Sequence, residues 1–81
     1  MQNFRHELRW NSDQVAKVLR ANGIHGRYEL SRRLNLTKSV VYVSFGPDWS
    51  GTATHNMVAT LAAEFGVPVG NLVVVAERAA A

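Results

Sequence analysis

Between Glu29 and Gly46 the chain reads ELSRRLNLTKSVVYVSFG. The first half has the look of a helix carrying arginines, with Leu30 and Leu34 four apart. The second half, SVVYVSF, is dense in β-branched and aromatic residues, which favour strands. As a helix, 37–45 gathers Val40, Val41, Ser44 and Phe45 on one side and Ser39, Tyr42 and Val43 on the other. Thr37 is placed to cap its start, and Gly46-Pro47 ends it. As a strand, Val41, Val43 and Phe45 oppose Val40, Tyr42 and Ser44. Periodicity alone does not choose between the two.

The flanking sequence supplies a context. Residues 3–10, NFRHELRW, alternate strictly, with Phe4, His6, Leu8 and Trp10 on one side, which predicts a half-buried strand. NSDQVAKVLRANG predicts a helix with Asn11 or Ser12 as its cap, Val15, Val18 and Leu19 as its apolar stripe, and Gly23 as its stop. GRYELSRRLNL predicts a second helix, with Tyr28, Leu30 and Leu34 making apolar contacts and Arg27, Arg32 and Arg33 in water. Asn35 ends it, since asparagine tolerates the left-handed conformation better than any residue but glycine. GPDWSG is a loop. Thr52 or Thr54 caps a helix striped by Met57, Val58, Leu61, Ala62 and Phe65 and stopped by Gly66. A short helical turn at 69–72 precedes a β-branched strand over 72–78. The expected fold is mostly α with a small β component: four to five helices and two terminal strands in one domain, 1–81.

A basic helix, a tight turn at Asn35 and a second short helix form the layout of a helix-turn-helix. On these residues the chain resembles the Cro/C1-type (Xre-like) helix-turn-helix family of phage and bacterial repressors. The family's series of apolar, small and apolar residues followed by a turn glycine is matched by Leu30, Ser31, Leu34 and Asn35. Leu36 matches the apolar residue after the turn, and Val41 the inward residue of the recognition helix. NMVATLAAEFGVPVGNLV is similar to the family's fourth helix and its close. The departures are Ser for Ala at 31, Asn for Gly at 35, the polar Ser44 at an apolar position, and a link, GIHGRYEL, one residue longer than usual. β-branched residues cost only tenths of a kcal/mol each in a helix. Burying Val41 and Phe45 contributes about 1.5–3 kcal/mol apiece. Packing therefore outweighs propensity, and 37–45 is expected to be helical.

The resemblance implies a sequence-specific double-stranded DNA-binding regulator, a Cro-like repressor of phage or prophage origin working on bacterial nucleoid DNA. It implies a homodimer on a palindromic operator. Thr37, Lys38, Ser39, Tyr42 and Val43 are then the candidates for base contact in the major groove. Arg27, Arg32 and Arg33, with Thr52, Thr54 and Asn56 at the next helix start, are candidates for phosphate contact; for the last three, ordinary capping competes. Phe4, Leu8, Val73, Val74 and Val75 are candidates for a dimer interface, the terminal strands pairing either with each other or across a two-fold axis. Alternatives are a DNA-binding antitoxin or excisionase-like accessory protein, and a protein-interaction module on the same scaffold.

Composition agrees with this class. Of 81 residues, 47% are hydrophobic and 19% charged, a globular balance. Net charge is +3, but 17–38 holds six basic residues against Glu29 alone, which points to a polyanion partner. There is no cysteine, which fits a reducing cytoplasm. MQNFRHELRW has no apolar stretch of the signal-peptide kind, and no run is long enough to span a membrane. His6, His25 and His55 have no metal-ligand spacing, and no glycine-rich phosphate loop occurs. No enzymatic activity, cofactor, metal or small-molecule substrate is expected.

Overall fold

A computed structural model describes residues 5–77. Along the chain run β1 (His6–Trp10), α1 (Ser12–Ala21), α2 (Arg27–Leu34), α3 (Lys38–Ser44), α4 (His55–Phe65), a 3-10 turn (Val69–Asn71) and β2 (Val73–Glu77). The chain is mostly α with one small sheet, and 37–45 is a helix.

Each helix starts and stops where local chemistry directs. Asn11, Thr37 and Thr54 accept from the backbone N–H three residues on, capping α1, α3 and α4. Gly26 precedes α2 without a side-chain cap, but the Glu29 carboxylate accepts the His25 N–H at 2.9 Å. Three helices close through a left-handed residue: Gly23 after α1, Asn35 after α2 and Gly66 after α4. Ile24 N–H reaches Leu19 C=O, Leu36 N–H reaches Ser31 C=O, and Val67 N–H reaches Ala62 C=O. The repeated six-to-one bond satisfies carbonyls that the helices leave open.

The core contains Val15 and Leu19 of α1, Leu30 of α2, Val41 of α3, Met57, Val58 and Leu61 of α4, and Leu72. Trp10, Phe45 and Trp49 form an aromatic group within it. Trp10 stacks on Phe45 at 4.4 Å between centroids, and Trp49 meets Phe45 edge-on at 5.4 Å. Trp49 has φ of 65°, rare for a bulky side chain. Its N–H closes a turn onto Gly46 C=O, and Gly46 N–H donates to Ser50 C=O. In this turn Ser50 donates its hydroxyl to Asp48 at 2.5 Å, which, with backbone N–H bonds, holds that carboxyl below its ordinary range.

β1 and β2 pair antiparallel, Leu8 opposite Val75 and Trp10 opposite Val73. The terminal strands therefore pair within the chain. On its other edge β1 meets the 51–53 segment: Trp10 N–H donates to Gly51 C=O, and Ala53 N–H donates to Leu8 C=O. Three sequence expectations need correction. On β1 only Trp10 is buried; Leu8 shares its face but projects past the core at 37% exposure. Tyr28 is half exposed rather than packed inside, because it lies on the flank of α2 away from Leu30. Arg27 is half-buried rather than in water, for the reason given next.

Candidate nucleic-acid interface

A seven-residue helix of β-branched residues is marginal by itself. α3 is held from outside. Val41 is wholly buried, and Phe45, the residue that ends the helix, is almost so. The two last carbonyls are caught by side chains from distant segments. Trp10 Nε1 donates to Ser44 C=O at 2.8 Å, and Arg27 Nη1 donates to Phe45 C=O at 3.1 Å. Ser44, in the place of the apolar residue expected there, turns its hydroxyl back to Val40 C=O at 2.9 Å.

With Val41 pinned inward, the opposite side of α3 must face out. Val43 is 88% exposed, and Thr37, Lys38, Ser39, Val40 and Tyr42 are also exposed. All five residues expected to touch bases thus lie on the open side of α3 or at its start. α2 and α3 are closely packed, joined only by Asn35, Leu36 and Thr37. Ser31 is buried at this joint and donates to Tyr28 C=O at 2.6 Å, so the small residue there is hydrogen-bonded.

The cations divide into distinct roles. The Arg27 guanidinium lies 4.0 Å from the centre of the Tyr42 ring while bonding Phe45 C=O. Lys38 Nζ sits 5.4 Å from the Tyr28 ring. Each helix therefore sends a cation to a tyrosine of the other. Arg33 bonds Glu64 of α4 at 3.0 Å and lies 5.2 Å from the Phe65 ring. Arg32 is exposed, and among the described residues no acid or acceptor engages it. Sequence spacing could not reveal the Arg27–Tyr42 and Trp10–Ser44 contacts, since neither pair is a local neighbour.

No family model matches the chain, and no curated protein or solved structure is significantly similar to it.

Thr54 is occupied as the α4 cap, and Thr52 donates its hydroxyl to Glu7 at 3.3 Å; Asn56 is exposed. Among the described residues no histidine–carboxylate group could hold a metal, and no helix is long and apolar enough to cross a membrane. Of the residues expected at a dimer interface, Val75 is 70% exposed, Leu8 and Val74 are exposed to a lesser degree, and Val73 is half-buried. Phe4 lies outside the described residues. β2 uses one edge on β1, and among the described residues no strand pairs with its other edge.

Proposed function

We propose that the chain is a sequence-specific double-stranded DNA-binding transcriptional regulator, a Cro-like repressor, that lays α3 in the major groove. The observation that carries this reading is α3 itself. It is short, fastened to α2 by a three-residue turn and anchored by Val41, Trp10 and Arg27. It nevertheless leaves one whole side uncovered. That is the geometry a recognition helix requires: rigid behind, open in front. Lys38, Ser39, Tyr42 and Val43 would face the base edges, with Thr37 at the leading end. Arg32, an exposed cation that no acid or acceptor among the described residues engages, would contact phosphate, as would Arg27 through its remaining donors. The regulator works as a homodimer on a palindromic site, a second copy adding along the open edge of β2.

The test is duplex binding at several salt concentrations, followed by selection of bound sites from random DNA. Expected are a steep fall of affinity with salt, by counterion release, and a recoverable consensus with two-fold symmetry. Absence of duplex binding at low salt overturns the reading.

One observation favours a second reading, a protein-interaction module. Val40, Tyr42 and Val43 on α3 and Tyr28 on α2 expose apolar and aromatic surface. Such a module would bind its partner with little salt dependence, which separates it from the first reading.

A further inference from the structure

The outward side of α3 is unusual in its chemistry for a helix that reads bases. Direct readout of guanine relies on arginine or lysine, and of adenine on asparagine or glutamine. Of these residue types α3, whose sequence is KSVVYVS, holds only Lys38. Its cation, Lys38, stands at the first position, beside Tyr28 rather than at the centre of the outer face. The centre belongs to Ser39 and Val43, four apart and therefore stacked on one face. Val43 is the most exposed large apolar side chain of the described residues, at 88%. Val40 and Tyr42 flank it, each a little under half exposed. The Tyr42 ring is held by the Arg27 guanidinium, so this wall is fixed before any ligand arrives. Cations at the rim and methyl groups at the centre fit a polyanion that carries methyl groups in a groove. In unmodified duplex DNA that group is the 5-methyl of thymine, which lies in the major groove.

We propose that α3 reads thymine 5-methyl groups, with Val43 as the residue that decides specificity and Tyr42, braced by Arg27, as the wall beside it. The inference rests on the DNA-binding reading and narrows it. Base discrimination comes from apolar contact, while affinity comes from the cations at the rim. The preferred site then carries thymines at the positions under Val43, and a guanine contact is left to Lys38 alone.

The experiment compares the selected duplex with the same duplex in which every thymine is replaced by uracil. This substitution removes only the methyl groups. Each buried methyl is worth about fourfold in affinity, so loss of two gives roughly fifteenfold weaker binding at fixed salt. The salt slope stays the same, because no phosphate contact changes. Val43→Ser, at an exposed position, keeps its fold by circular dichroism and binds the two duplexes with a much smaller difference. Equal affinity of wild type for both duplexes overturns the methyl reading and leaves DNA binding standing. A full uracil penalty that persists in Val43→Ser overturns the role of Val43. Failure to bind either duplex at low salt overturns the DNA reading, and this inference falls with it.

Discussion

Trp10 and Ser44 are 34 residues apart, yet the indole Nε1 of the first donates to the carbonyl of the second at 2.8 Å. One side chain thus supplies a hydrogen bond to the last turn of α3 and a stacking surface for Phe45, the residue that ends it. The two contributions are separable. Trp10→Phe keeps an aromatic ring but orphans the carbonyl, at a cost of about 1–3 kcal/mol. Trp10→Ala loses the packing as well and should cost about 3–5 kcal/mol. Urea denaturation of both variants checks this. Equal losses would mean that the hydrogen bond accounts for the effect and the ring packing contributes little.

Val41 and Val43 are two residues apart on a short helix, one wholly buried and one 88% exposed. Val41→Asp places an unpaired charge in the core and should unfold the domain. Val43→Asp should melt within about 0.5 kcal/mol of wild type in stability. Circular dichroism melts decide it, and equal tolerance of the two changes would contradict the helix.

Trp49 combines a buried indole with a φ that glycine adopts freely. Both Trp49→Ala and Trp49→Gly lose the contact with Phe45. Only glycine also relieves the left-handed backbone, a difference of about 1 kcal/mol. Trp49→Gly should therefore be the more stable of the two, the reverse of their order at an ordinary position. Chemical denaturation of the pair measures it.

Arg27 and Arg32 lie on the same helix but should fail differently when removed. Arg27→Ala deletes the contact with the Tyr42 ring and the bond to Phe45 C=O, lowering stability by about 1–2 kcal/mol. Arg32→Ala should leave stability unchanged and flatten the salt dependence of DNA binding by about one unit. Melts paired with salt titrations separate the two. An unchanged slope in Arg32→Ala would remove it from the phosphate-binding face.

Sedimentation tests the proposed dimer. The full chain should associate as concentration rises, and Val75→Lys, which puts a charge on the exposed β2, should weaken association without lowering the melting temperature. A wild-type chain that stays monomeric at high concentration, with and without its DNA site, would refute the assembly. Loss of folding in Val75→Lys would show instead that this side chain serves the monomer.

Much of the fold was legible from local pattern. Asn11, Thr37 and Thr54 are caps, and Gly23, Asn35 and Gly66 are stops, because side-chain hydrogen bonds and left-handed φ act over a few residues. The stripes of α1 and α4 follow from helical spacing alone. Residues 37–45 were different. Helix and strand are both locally acceptable there, and only the resemblance over the flanking residues favours the helix. The structure supplies the physical cause: burial of Val41 and Phe45, and capture of two carbonyls by Trp10 and Arg27. The same holds for the proposed interface. The helical period determined that Ser39, Tyr42 and Val43 share the outer face of α3 once the helix exists, whereas Val40, grouped with Val41 by the same period, is 45% exposed. Only the tertiary structure decided that Arg27 braces Tyr42, that Arg33 is drawn to Glu64 and that Arg32 is left in solvent. These outcomes depend on which surfaces the packed core brings within a few ångströms, and no local spacing encodes that.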